Sequence, residues 1–136
     1  MARSCTLAPD YIERQAHLQL LEIERRRKVY LAGRQPLPVA GVTVIVVDDG
    51  IATGTTVRAA LKALRRRGPA RLVLAVPVAP PDTVMALQDE VDLLVCLSQP
   101  ADFQAIGEHY RDFHQLSDDE VLAALHPAQG SQQNGA

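Results

Sequence analysis

The pattern of hydrophobic positions predicts three strands. Val42–Val47 is a continuous run of mostly β-branched residues, which is typical of a strand buried on both faces of a parallel sheet. Arg71–Val76 and Asp92–Leu97 are the next apolar runs. We expect Pro77, Pro80 and Pro81 to end the second strand, because proline cannot donate a hydrogen bond to a neighbouring strand.

Segments with helical periodicity lie around these strands. Four helices are predicted, over residues 10–32, between Gly54 and Gly68, over residues 83–90 and over residues 117–125. Asp10 and Asp82 are the expected N-caps of the first and third helices, and the first is expected to be half exposed. The last helix begins with the capping box Ser117-Asp118-Asp119-Glu120.

The order of these elements predicts an α/β fold. Strands that alternate with helices imply right-handed crossovers and a parallel sheet with flanking helices. We assign residues 10–126 to one domain, residues 1–9 to an irregular N-terminus and residues 127–136 to a disordered tail. Residues 101–114 fit no period, and we expect their aromatic side chains to serve packing: Phe103, Tyr110 and Phe113.

Composition and charge exclude several classes of protein. The chain has 136 residues, of which 47% are hydrophobic and 22% charged, as in one soluble domain. A formal net charge of −2 argues against non-specific nucleic-acid binding, which needs a basic surplus. No apolar run approaches the roughly 20 residues that cross a bilayer, and no signal-peptide pattern is present. We therefore expect a cytoplasmic protein with no membrane partner.

One segment carries chemistry, and it joins the first strand to the second helix. Its sequence is VIVVDDGIATGTT, residues 44–56. Asp48 and Asp49 end the strand, and small residues lead into the helix. Ligands of parallel sheets bind at the carboxyl ends of strands, and a helix N-terminus offers unpaired N–H groups to a phosphate. Two carboxylates beside a phosphate need hydroxyl donors or a cation such as Mg²⁺. A ribose 5-phosphate satisfies every group in the loop.

The segment resembles the phosphoribosyl-pyrophosphate-binding motif of the type I phosphoribosyltransferases. Their motif is a hydrophobic strand, two acidic residues, two variable residues and then Ala/Asp-Thr-Gly-x-Thr, and VIVVDDGIATGTT matches it throughout. The flanking stretches are similar to a bacterial subgroup of these proteins whose substrate is unassigned: YIERQAHLQLLEIERRRKVYLAGRQPLP, ALKALRRRGPARLVLAVPVAPPDT and AIGEHYRDFHQLSDDEV.

The resemblance implies roles for the residues of this motif. Asp48 and Asp49 would bind the ribose hydroxyls and, through water, Mg²⁺. The 5-phosphate would lie in a loop of small residues: Ala52, Thr53, Gly54, Thr55 and Thr56. Family members transfer the phosphoribosyl group to a nitrogenous base and release pyrophosphate. Some carry an acidic residue where this chain has Ala52, so we assign no catalytic acid or base, and the motif does not encode the acceptor base.

The front of the chain departs from the family pattern. Residues 1–9 contain no equivalent of the pyrophosphate-binding loop of family members, so we interpret the domain as N-terminally incomplete. A strand Val42–Val47 without one neighbour would be an apolar edge, which favours a homo-oligomer. Alternatives stay open: a partner or second copy completes the domain, or the gene is a truncated remnant. The chain could also be a catalytically inactive sugar-phosphate- or nucleotide-binding regulatory module, or a scaffold with an inert loop.

Overall fold

The computed structural model describes residues 9–126, which fall into two compact units. The larger unit comprises residues 37–114, and the smaller one comprises the described residues before 37 and after 114. The predicted disordered tail and nearly all of the predicted irregular N-terminus lie outside the described residues. The elements are α1 (Pro9–Leu31), β1 (Thr43–Val47), α2 (Thr55–Arg65), β2 (Arg71–Val78), α3 (Pro81–Gln88), β3 (Leu93–Ser98), a 3₁₀ helix (Ile106–His109) and α4 (Asp118–Leu125).

The larger unit is built on a parallel sheet, as the sequence predicted. Its three strands lie in the order β1-β2-β3, so β2 is central. Val73 pairs with Ile45 on one side and with Leu93 on the other. Parallel strands place their carboxyl ends at one edge of a sheet, so the segments after β1, β2 and β3 meet there. The α/β class with a parallel sheet and flanking helices is confirmed.

One face of the sheet is buried beneath helices. Leu72 and Leu74 of β2 are fully buried and belong to one cluster with Leu61 of α2 and Leu87 of α3. Val57 and Leu64 of α2 pack in the same cluster, whereas Ala60 of that helix is exposed. Each fully buried side chain contributes about 1.5–3 kcal/mol to folding, so this cluster stabilises the unit.

The opposite face of the sheet is open at β1 and β3, whereas Val73 of the central strand is buried on it; the exposure of β1 corrects the prediction that β1 is buried on both faces. Ile45 and Val47 are 61% and 72% exposed, whereas Val44 and Val46 pack against the core. Successive side chains of a strand point to opposite faces, so only the even-numbered face of β1 meets the helices. β1 is also an edge strand, since β2 is its only neighbour among residues 9–126.

β2 runs past Pro77, contrary to the prediction for that residue, and ends before Pro80 and Pro81, as predicted for those two. The strand continues to Val78, which pairs with Ser98 of β3. Pairing with β1 stops at Ala75, so Pro77 lies where β2 has a strand neighbour on one side only. Proline is tolerated at such a position because no hydrogen bond to a second neighbour is lost.

The smaller unit pairs α1 with α4. Arg25 Nη1 lies 2.7 Å from Asp118 Oδ2, and the Tyr30 hydroxyl donates to Asp118 Oδ1 at 2.9 Å. The predicted capping box of α4 is present: Ser117 Oγ accepts from Glu120 N at 3.3 Å, and Glu120 Oε2 accepts from Ser117 N at 2.8 Å.

Two predicted N-caps lie inside their helices instead. α1 begins at Pro9 and α3 at Pro81, so Asp10 and Asp82 lie in the first turns, where negative charge favours the helix dipole. α1 is more exposed than expected, and its exposed large apolar side chains are Tyr11, Ile12, Leu18, Leu20, Leu21 and Ile23. None of the helices within residues 9–126 is long and apolar enough to cross a membrane.

Candidate functional site

The connection from β1 to α2 forms an open pocket of about 300 Å³. Residues 48–57 line it together with Ile106. Every residue that the sequence predicted for the site is among them: Asp48, Asp49, Ala52, Thr53, Gly54, Thr55 and Thr56. The structure therefore brings the predicted residues together at the carboxyl end of β1.

The acidic turn, which we define as Asp48–Gly50, is held by its own backbone and by close packing. The Asp48 carboxylate accepts a hydrogen bond from Asp49 N, with 2.9 Å between Oδ1 and N. A Cβ atom on Gly50 would lie 2.8 Å from Ile106 Cγ2 and 3.0 Å from Val78 Cγ1. A larger residue at position 50 would therefore force Ile106 or Val78 to move, because real Cβ atoms do not approach neighbours so closely.

The acidic turn also concentrates negative charge. Partial burial, and secondly the charge of Asp48, raise the pKa of Asp49. A hydroxyl donor or a cation beside the Asp49 carboxylate would offset both of these effects, because each favours the charged form of the group. The turn can therefore bind a polyhydroxy ligand or a hydrated metal ion.

The small-residue loop, which we define as Ala52–Thr56, opens the N-terminus of α2. Gly54 is the N-cap residue and adopts the left-handed conformation, with φ of 76°. No side chain caps this helix, whereas α4 carries a complete capping box. The N–H groups of the first turn of α2 are thus free of a side-chain cap, and together with the helix dipole they favour an anion.

Residues of α3 pack against the small-residue loop. The Thr83 hydroxyl donates to the Ala52 carbonyl at 2.7 Å. A Cβ atom on Gly54 would lie 3.2 Å from both Thr83 Cγ2 and Leu87 Cδ1. Sequence reasoning missed Thr83, although its position just after β2 places it at the same edge of the sheet. Thr53 Oγ1 and Thr55 Oγ1 lie 3.4 Å apart at the mouth of the loop.

The segment after β3 contacts the acidic turn. The Tyr110 hydroxyl donates to the Asp49 carbonyl. The Tyr110 ring also packs against Phe113, with 5.2 Å between ring centroids, and Phe103 stacks on His109 at 5.5 Å. The expected aromatic packing is therefore present. No sequence signal indicated the contact between Tyr110 and Asp49, because the residues of this segment follow no period.

The carboxylates of the acidic turn are the candidate metal ligands of this site. Within residues 9–126, no group of three or more His, Cys, Asp or Glu side chains could hold a metal ion. Mg²⁺ is commonly bound by one or two carboxylates together with water and substrate phosphates, rather than by a cage of protein ligands. Asp48 and Asp49 fit such a shared site, and Mg²⁺ binding stays a prediction.

Comparison with known proteins identifies the family. The sequence model of the family "Phosphoribosyl transferase domain" matches residues 9–112 of this chain. The chain therefore belongs to the phosphoribosyl transferase domain family, as the motif resemblance indicated. Two curated relatives from Mycobacterium tuberculosis strains, MT0597 and Rv0571c, are both named "Putative phosphoribosyl transferase", and each is 46% identical to this chain over 118 residues.

These matches cover most of this chain but only part of each similar protein. The alignment with each mycobacterial relative covers 87% of this chain and 26% of the relative, so the chain spans about a quarter of their length. The crystal structure of TT1426 from Thermus thermophilus is similar, with a TM-score of 0.73 and 39% identity. That match covers 88% of this chain and 57% of TT1426. Family and fold are thereby shown, while the roles of single residues stay predictions.

Proposed function

We propose that this chain binds phosphoribosyl pyrophosphate, or a related ribose 5-phosphate, in the pocket between β1 and α2. The observation that carries the proposal is the pairing of two opposite features in one pocket of about 300 Å³. The uncapped N-terminus of α2 attracts a phosphate, and the acidic turn accepts hydrogen bonds from hydroxyls. A ribose 5-phosphate carries both a phosphate and hydroxyls, so one ligand can satisfy both features.

In this proposal each part of the pocket holds one part of the ligand. The N–H groups of the small-residue loop, with the hydroxyls of Thr55 and Thr56, hold the 5-phosphate. Asp48 and Asp49 accept hydrogen bonds from the ribose hydroxyls. Mg²⁺, when bound, would neutralise charge on the pyrophosphate group of the ligand.

The proposed reaction is transfer of the phosphoribosyl group to a nitrogenous base. The bond from the anomeric carbon to pyrophosphate breaks, a bond to nitrogen forms, and the departing proton of the base passes to solvent. The transition state has oxocarbenium character, and carboxylates near the ribose stabilise its developing positive charge. Ala52 carries no ionisable group, so the proposal assigns no acid or base to this chain.

A second candidate is a regulatory module that binds the ligand without turnover. The pocket favours this regulatory candidate, because none of the described residues that line it is Lys or Arg. A pyrophosphate group usually needs such cations or a metal ion. The two candidates share the ribose 5-phosphate site and differ only in whether the chain performs chemistry.

We also propose that the chain forms a homo-oligomer. Support comes from the free edge of β1 and from exposed apolar residues on the open face of the sheet, including Ile45, Val47 and Leu97. Exposed apolar patches and unpaired edge strands both favour association with another chain.

A calorimetric titration with phosphoribosyl pyrophosphate, with and without Mg²⁺, tests the binding proposal. Saturable binding that tightens with Mg²⁺ is expected. Release of pyrophosphate with a panel of nitrogenous bases then separates the two candidates: turnover supports the enzyme, and binding without turnover supports the module. The absence of saturable binding under either condition would contradict both.

A further inference from the structure

Both backbone polar groups of Asp49, its N–H and its carbonyl, form hydrogen bonds. Its N–H donates to the Asp48 carboxylate at 2.9 Å, and its carbonyl accepts from the hydroxyl of Tyr110. The first contact is local, whereas Tyr110 lies 61 residues further along the chain. A bond across this separation fixes the turn relative to the segment after β3, which the local contact cannot do.

A second contact from the same segment meets the next residue of the acidic turn. Gly50 packs directly against the Ile106 side chain at the start of the 3₁₀ helix. The Tyr110 ring is in turn packed against Phe113, with 5.2 Å between centroids. Tyr110 is half-buried, so its ring has a defined position from which the hydroxyl reaches the turn.

The two ends of the pocket are supported by different elements. Thr83 and Leu87 of α3 contact the small-residue loop, while Ile106 and Tyr110 contact the acidic turn. Loss of the Tyr110 hydroxyl should therefore loosen the acidic turn and leave the small-residue loop in place.

We propose that Tyr110 is a positioning residue for ribose recognition, because its hydroxyl holds the Asp49 carbonyl and so fixes the direction of the adjacent carboxylates. This inference rests on the proposed ribose 5-phosphate site. It assigns Tyr110 to the hydroxyl-binding end of the site and not to the phosphate-binding end.

The test compares two probes in the Tyr110→Phe variant, which keeps the ring and removes only the hydroxyl. Ribose 5-phosphate is titrated by calorimetry, and inorganic phosphate is titrated by the NMR shifts of the Gly54, Thr55 and Thr56 amides. We expect the Kd of ribose 5-phosphate to rise about threefold to tenfold, as for one lost hydrogen bond. The Kd of phosphate should change by less than about twofold, since no contact to the small-residue loop is lost.

Tyr30→Phe is the matched control, because its hydroxyl also donates to a partner, Asp118, but in the smaller unit. It should leave both Kd values unchanged. Equal weakening of both probes by Tyr110→Phe, or no weakening of either, would overturn the positioning role while the binding site stands. If the wild-type chain binds neither probe, the proposed function fails and this inference fails with it.

Discussion

The Asp48 carboxylate accepts a hydrogen bond from the backbone amide of Asp49, the residue whose own carboxylate it repels. The distance between Asp48 Oδ1 and Asp49 N is 2.9 Å. The two carboxylates are adjacent at the carboxyl end of β1, where partial burial and, secondly, the Asp48 charge disfavour the ionised form of Asp49 and raise its pKa. Groups arranged against their own stability in this way are typical of binding sites, where the ligand supplies the missing partner.

The first prediction is that Asp49→Asn stabilises the fold at neutral pH. Burial and the Asp48 charge raise the folded-state pKa of Asp49 above its ordinary value of 3.8. The folded state then binds the proton more tightly than the unfolded state, so wild-type stability falls as pH rises through the interval between the two pKa values. Asparagine has no such transition.

Urea unfolding of wild type and Asp49→Asn at neutral pH and well below pH 3.8 measures this effect. The difference between the two proteins should favour the variant at neutral pH and shrink in acid. Asp102→Asn, at an exposed position of the same unit, serves as the control. A variant less stable than wild type at neutral pH would contradict the charge argument.

The second prediction concerns Asp92, whose effect has the opposite sign. Its Oδ2 atom accepts from Arg65 Nη1 at 2.9 Å and from Leu72 N at 2.7 Å. Arg65, and secondly the Leu72 amide, lower the pKa of Asp92 below its ordinary value of 3.8. The stabilising contribution is present above 3.8 and is lost as pH falls towards the lower folded-state pKa. Asp92→Asn should therefore reduce stability at neutral pH and have a smaller effect in acid, which the same unfolding series measures.

The third prediction separates the two halves of the pocket. Thr56→Ala should weaken binding of ribose 5-phosphate by about 1–3 kcal/mol, as for a lost hydrogen bond to a charged group. It should weaken binding of inorganic phosphate as well. Asp49→Asn should weaken ribose 5-phosphate and leave phosphate binding unchanged or stronger. Thr43→Ala, on β1 outside the pocket, is the control. Unchanged affinity for ribose 5-phosphate in both site variants would remove the basis of the site assignment.

The fourth prediction uses the two glycines that flank α2. Gly54 and Gly68 have φ angles of 76° and 70°, and alanine in the left-handed region costs roughly 1–2 kcal/mol at either position. A Cβ atom at Gly54 also meets Thr83 and Leu87 at 3.2 Å, whereas at Gly68 nothing lies within 4 Å. Gly54→Ala should thus destabilise the fold more than Gly68→Ala and should alone abolish phosphate binding. Equal effects of the two substitutions on stability and binding would contradict the proposal that the small-residue loop at Gly54 is packed to bind phosphate.

The sequence predicted the elements that depend on local signals. The β-branched run before Asp48, the helical spacing from Val57 to Leu64 and the capping box of α4 each act within a few residues, so they could be read from the chain. The exposure of Ile45 could not, because β-branched residues occur in strands with one buried face as well as two.

The residues of the candidate site also differ in whether a local sequence pattern indicates them. Asp48–Thr56 form one contiguous motif, which the sequence displays directly. Thr83, Ile106 and Tyr110 reach the pocket through the topology of the sheet, since segments that follow three different strands meet at one edge. Their side chains satisfy no local pattern, so only the folded chain associates them with the motif.

The last prediction tests self-association through the open face of the sheet. Ile45, Val73 and Leu93 form one row across the three strands, and Val47, Ala75 and Val95 form the next row. Val47 is 72% exposed, so Val47→Lys places a charge on this face with little loss of buried surface. We expect wild type to sediment as an oligomer at micromolar concentration and Val47→Lys to shift towards a folded monomer, with a Tm lowered only by the loss of association. Met85→Lys, at a 69% exposed position of α3, should sediment like wild type. A well-folded wild-type monomer across the concentration range would show that the open face does not bind a second copy of this chain.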